Sequence, residues 1–133
     1  MNQNDIYEAL KSSLVDALGI EEEDITPEAT LLGNLGTESI DLLDILYKMD
    51  RRLGIKIHVS DIATYIQGDI PDEEFADEKE IISSAGLIQL KKVLPQINAD
   101  ELAGQLDANH ILDLFTVQNL IDMYEERVQA AAS

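Results

Sequence analysis

Ser39 carries a hydroxyl at the junction between a glycine-containing loop and an amphipathic segment, Leu35-Gly36-Thr37-Glu38-Ser39-Ile40-Asp41-Leu42-Leu43-Asp44. A helix starting there leaves backbone N–H groups unpaired in its first turn, and its dipole places partial positive charge at the same end. A phosphate ester on the Ser39 oxygen would lie where an anion is stabilised. Serine at such a point is equally an ordinary N-cap, and Thr37 competes for that role. The hydroxyl alone leaves both readings open. Glu38, Asp41 and Asp44 recur at a spacing of three, which lines them along one helix face. Acids at a helix start contribute about 0.3–1 kcal/mol each. Such a row is either a plain solvated face or a surface for basic partners.

Other chemistries find little support. The chain has no cysteine, which removes disulfides, thiolate metal sites and cysteine nucleophiles. His58 and His110 are far apart in sequence, His110 has no ligand-spaced partner, and no metal site is expected. The acidic stretch Asp69-Ile70-Pro71-Asp72-Glu73-Glu74 lacks the alternation and central glycine of a calcium loop, so it reads as solvated. Glu21 and Asp24 lie in an exposed acidic run rather than in an apolar pocket that would tune a general acid. No Ser-His-Asp grouping and no Walker-type loop is readable, and the chain is not expected to be an enzyme.

Charge bounds the partners. Nine basic residues against 27 acidic give a formal net charge of -18 over 133 residues. That surface repels nucleic acid and anionic membranes and attracts basic protein patches. With 45% of residues hydrophobic, the chain is too apolar to be a disordered acidic tail. No long apolar run suits membrane insertion, no N-terminal signal is readable, and the cytoplasm is the expected compartment.

The elements that must position Ser39 follow from apolar spacing. Ile6, Leu10, Leu14, Ala17 and Leu18 predict a first helix capped by Asn4 or Asp5 and ended by Gly19. Residues 20–37 read as an ordered loop pinned by Ile20, Ile25, Leu31, Leu32 and Leu35, with a turn or short helical start at Thr26-Pro27-Glu28. A second helix is predicted over 39–53 with Gly54 as its stop. Its apolar residues cover more than one face, which predicts a central position. A short helix is predicted over 59–66, and an exposed loop over 68–75. A helical pattern follows over 77–94, with Gly86 able to break it, and then short turns over 99–114. Thr116 is the expected N-cap of a last helix carrying Val117, Leu120, Ile121, Tyr124 and Val128, with fraying from Gln129 onward.

The stretch Gly36-Thr37-Glu38-Ser39-Ile40 resembles the phosphopantetheine attachment site of acyl carrier proteins, Gly-x-Asp-Ser-Leu before an acidic helix. The resemblance extends back through Thr26-Pro27-Glu28-Ala29-Thr30-Leu31-Leu32 to the first helix and forward to Gly54-Ile55-Lys56-Ile57. It resumes at Leu114-Phe115-Thr116-Val117-Gln118-Asn119-Leu120-Ile121. It implies an all-α, acyl-carrier-like four-helix bundle, with one domain over 1–133 and an expanded helical insert at about 68–114, between the second and last main helices. It implies that a phosphopantetheinyl transferase (holo-carrier synthase) moves 4′-phosphopantetheine from coenzyme A onto the Ser39 hydroxyl, making a covalent arm whose thiol holds acyl groups as thioesters. It implies partners of the ketosynthase, dehydratase and acyltransferase type, whose basic docking patches meet Glu38, Asp41 and Asp44. The implied setting is fatty acid or specialised lipid biosynthesis.

Two departures from that family pattern stand out. Lys48, Arg51 and Arg52 put positive charge at the end of the second helix, where typical members stay acidic. The insert either enlarges an acyl pocket, lined by Ile81, Ile82, Leu87, Ile88 and Leu90, or serves as a docking surface, or closes a larger core. An acidic helical adaptor without cofactor, and a peptidyl or aryl carrier, are the alternative functions.

Overall fold

The ends of the first helix, α1 (Gln3–Leu18), are set by local chemistry. Asn2 accepts a hydrogen bond from the Asp5 N–H at 2.9 Å, and the Asp5 carboxylate accepts one from the Asn2 N–H at 3.2 Å. This reciprocal box satisfies two donors at once. It corrects the expected cap, because Asn4 and Asp5 lie inside the helix and Asn2 is the residue that caps. The Gly19 N–H closes the other end on the Val15 carbonyl at 2.9 Å.

The structure is a computed structural model describing residues 2–31, 35–36 and 39–132, with side chains for all of these except 39, 109, 112, 131 and 132. All regular structure among the described residues is helical, and extended chain pairs only in isolated bridges. The chain is therefore all-α, as its sequence implies. It divides into two compact units, one made of Met1–Val59 with Thr116–Ser133 and the other of Ser60–Phe115.

In the first unit, α1 is followed by a 3-10 turn (Glu22–Asp24), by α2 (Ser39–Leu53) and, after the second unit, by α7 (Val117–Ala132). Helix α1 packs on both α2 and α7. Ile6, Leu10 and Leu14 of α1 meet a core that includes Leu42, Ile45, Leu46 and Met49 of α2 and Val117, Leu120, Ile121 and Tyr124 of α7. Each such side chain contributes about 1.5–3 kcal/mol when fully buried. Arg52 ties α2 to α1, donating to Ser13 Oγ at 2.9 Å and to Asp16 at 2.6 Å. Thr116 caps α7 through its own Asn119: the Asn119 N–H donates to Thr116 Oγ1 at 3.1 Å and the Thr116 N–H to Asn119 Oδ1 at 2.9 Å. Helix α7 continues to Ala132, so the tail expected to fray is helical.

The second unit takes in α3 (Val59–Gln67, all but its first residue), α4 (Asp72–Phe75), α5 (Ser84–Val93), α6 (Ala99–Leu102) and a 3-10 segment (Ala108–Leu114). Two sequence expectations fail here. The stretch 68–75 is not simply an exposed loop, since α4 ends it and buries Phe75. Residues 77–83 are not helical, because Ala76 bridges Ile82 and Ile81 bridges Asp107. Helix α5 instead starts where Ser83 Oγ accepts from the Gly86 N–H at 3.1 Å. Gly86 is thus in the first turn and breaks nothing. It is glycine for space, as a Cβ there would lie 2.6 Å from the Phe75 carbonyl oxygen and 2.7 Å from Ile82 Cγ2.

Candidate functional site

Ser39 is the first residue of α2, and the chain arriving at it is anchored from behind. Leu35 is buried and its N–H donates to the Thr30 carbonyl at 3.1 Å. Thr30 in turn bridges Thr116, while the N–H groups of Val117 and Gln118 donate to the Ala29 and Pro27 carbonyls, each at 2.9 Å. The loop is therefore clamped to the start of α7. Ile25, Leu31 and Leu35 pin it as expected, Ile20 is half-buried, and Leu32 lies outside the described residues. Gly36 then turns the chain with φ at 69°, a left-handed conformation that disfavours other side chains.

The position of Ser39 suits a phosphorylated attachment. It heads a 15-residue helix whose first-turn N–H groups and dipole favour an anion. On either side of it, Gly36 is exposed and Ile40 is 70% exposed. Of the expected acidic row, Glu38 lies outside the described residues, as does Thr37, the competing cap. Asp41 is half-buried in the first turn of α2. Asp44 is also half-buried and is paired with Lys48 at 3.0 Å. That pairing offsets part of the negative field the sequence suggests for this face.

Helix α2 presents a feature the sequence analysis missed. Its apolar residues divide into two stripes. Leu42, Ile45, Leu46 and Met49 are buried, whereas Ile40, Leu43 and Tyr47 are 70%, 57% and 58% exposed. The helix is thus not apolar all round in the interior. The signal was present: 42, 45, 46, 49 and 53 already form a complete core-facing stripe, leaving 40, 43 and 47 on the far side. Beyond Tyr47, the Arg51 guanidinium lies 5.9 Å from the ring centroid, with Nη1 donating to the Tyr47 hydroxyl at 3.2 Å. That hydrogen bond raises the Arg51 pKa further above an already high value, so the cation is permanent.

The candidate pocket residues within 68–114 divide between core and surface. Ile82, Leu87 and Leu90 are buried, Ile81 is half-buried, and Ile88 faces solvent at 63% exposure. His58 is exposed; His110, also exposed, has Nδ1 3.1 Å from Asp113 Oδ2. Among the described residues, no His, Cys, Asp or Glu cluster is arranged to hold a metal ion. No helix among them is long and apolar enough to cross a membrane.

Comparison with known proteins adds an independent line. The family profile "Phosphopantetheine attachment site" matches residues 8–67. The acyl carrier protein of Thermotoga maritima is 31% identical over 75 residues, covering 50% of this chain and 93% of that protein. The acyl carrier protein of Nitratidesulfovibrio vulgaris strain DP4 is 32% identical over 56 residues, covering 42% of this chain and 74% of the relative. The same figures hold for the Hildenborough strain. No solved structure matches the chain.

Proposed function

The chain belongs to the acyl carrier protein family, and on that premise we propose that it carries acyl intermediates on an arm attached at Ser39. The family's prosthetic group is covalent 4′-phosphopantetheine, and its members are carriers rather than catalysts. When attached, the group supplies a thiol that holds the acyl chain as a thioester. The chain's own residues present the acceptor and offer surfaces to enzymes. The observation that carries the assignment of Ser39 is its place at the head of α2, inside the matched residues 8–67 and behind a clamped loop.

Each residue has a definable part in this reading. The Ser39 hydroxyl would accept the arm: its oxygen bonds the phosphorus of the phosphopantetheine moiety of coenzyme A, its proton passes to the transferase, and the pyrophosphate linkage breaks to release 3′,5′-ADP. The first-turn amides of α2 would stabilise the phosphodiester anion. Glu38, Asp41 and Asp44 offer carboxylates to basic patches on the transferase and on ketosynthase, dehydratase and acyltransferase-type enzymes. The pathway is fatty acid or specialised lipid biosynthesis. The family match stops at Gln67, which supports reading about 68–114 as an insertion within one carrier domain, and an insertion there favours a specialised lipid role.

Co-expression with a broadly tolerant phosphopantetheinyl transferase tests the site by intact mass. Wild-type chain is expected to gain one arm and Ser39→Ala none. An arm still added to Ser39→Ala would reassign the site, and no arm on wild type would refute the carrier reading.

A further inference from the structure

The solvent face of α2 continues past its apolar strip into a cation. Ile40, Leu43 and Tyr47 follow one another at spacings of three and four, and Arg51 is the next step of the same row. Arg51 lies about 18 Å along the helix axis from Ser39 at 1.5 Å per residue. It is not one cation among equals. Lys48 is paired with Asp44 at 3.0 Å, and Arg52 with Asp16 at 2.6 Å and Ser13 at 2.9 Å. Arg51 instead donates to the neutral hydroxyl at the edge of a ring whose centroid lies 5.9 Å from its guanidinium, and one such bond leaves other guanidinium N–H donors for a partner. Beside it, Asp16, Tyr47, Lys48, Arg51 and Arg52 line an open groove of about 490 Å³.

A cation held in this way on a chain of net charge -18 has a directional consequence. A partner whose docking face is basic throughout meets attraction near Asp41 and Asp44 but repulsion at Arg51. A partner that places a carboxylate opposite Arg51 meets attraction at both ends. The exposed aliphatic and aromatic strip between them calls for an apolar cleft. The overall negative charge disfavours phosphate-bearing polymers and anionic lipid as occupants.

We propose that Arg51 is the partner-specificity contact of this carrier, taking a carboxylate from a protein whose docking face joins a basic group, an apolar cleft and an acidic group in that order from the Ser39 end. This inference rests on the carrier reading above.

The test uses the holo protein with Leu43→p-benzoylphenylalanine, irradiated in its native cells, with the cross-linked partner identified by mass spectrometry. That partner is then titrated with holo wild type, Arg51→Gln and Arg51→Glu. Arg51→Glu is expected to weaken binding about tenfold or more, and Arg51→Gln less. Reversing to lysine the partner carboxylate that lies opposite Arg51, about 12 Å beyond the Leu43 cross-link on the side away from Ser39, is expected to restore binding to Arg51→Glu. Equal or tighter binding by Arg51→Glu, a cross-linked face without a carboxylate, a cross-link to lipid or nucleic acid, or no cross-link would each overturn the proposal. Intact mass of each variant separates the two readings. An arm on wild type and on Arg51→Glu leaves the carrier assignment standing whatever the titration gives, whereas an unmodified wild type overturns the carrier assignment itself.

Discussion

Tyr124 of α7 is fully buried, and its hydroxyl has no hydrogen-bond partner among the described residues. A buried hydroxyl left unpaired costs about 1–3 kcal/mol. Tyr124→Phe removes the hydroxyl and keeps the ring, so it should raise stability by roughly 1 kcal/mol, as read by urea unfolding. The pH dependence has a definite sign. Burial pushes the Tyr124 phenol far above its ordinary 10.0, Asp50 adds to the rise and Arg127 opposes it. The folded state therefore keeps the proton after the unfolded chain has lost it. The associated stability is intact below pH 10 and falls as pH rises beyond it. Tyr124→Phe should flatten that alkaline decline. An unchanged slope above pH 10 would show that Tyr124 is not its source. Lys11 illustrates the milder surface case. Its pKa is raised by Glu22 first and Glu8 second, and because both carboxylates are exposed the pairing carries little weight in stability.

At the scale of elements, the close approach of α5 to the chain before it depends on Gly86. The Phe75 carbonyl oxygen, 2.6 Å from where a Cβ would sit, is backbone and cannot swing aside. Gly86→Ala should therefore destabilise the second unit by about 1–3 kcal/mol, the usual cost of overpacking. Hydrogen exchange should quicken first within 60–115 and leave α1 and α2 protected; uniform quickening would instead mean that the units unfold together. The same elements show what a sequence discloses. The limits of α2 at Ser39 and Leu53, the stop of α1 at Gly19 and the Thr116 cap were legible, because caps and glycine stops act over a few residues. The bridges at 76–82 and 81–107 were not, because the Ile82 N–H is satisfied by Leu106, 24 residues away. The helical periodicity of 77–94 could not reveal that partner. Likewise the proposal of Ser39 could be drawn from its flanks, whereas the solvent-facing strip of α2 required knowing which of two apolar stripes the core occupies.

For the whole molecule, charge and attachment are the testable properties. With 27 acidic residues against nine basic, encounter with a basic transferase should be steered electrostatically. Raising ionic strength from about 0.05 to 0.3 M shortens the screening length and should raise the transferase KM for this chain several-fold with kcat little changed. A KM indifferent to salt would argue against docking through the acidic face. The most direct measurement of where the arm is joined is fragmentation of the tryptic peptide spanning residues 12–48, taken from chain modified by the transferase. One phosphopantetheinyl group localised to Ser39 is the expected result. An arm on Ser12, Ser13 or a threonine of that peptide, or a peptide left unmodified, would contradict it.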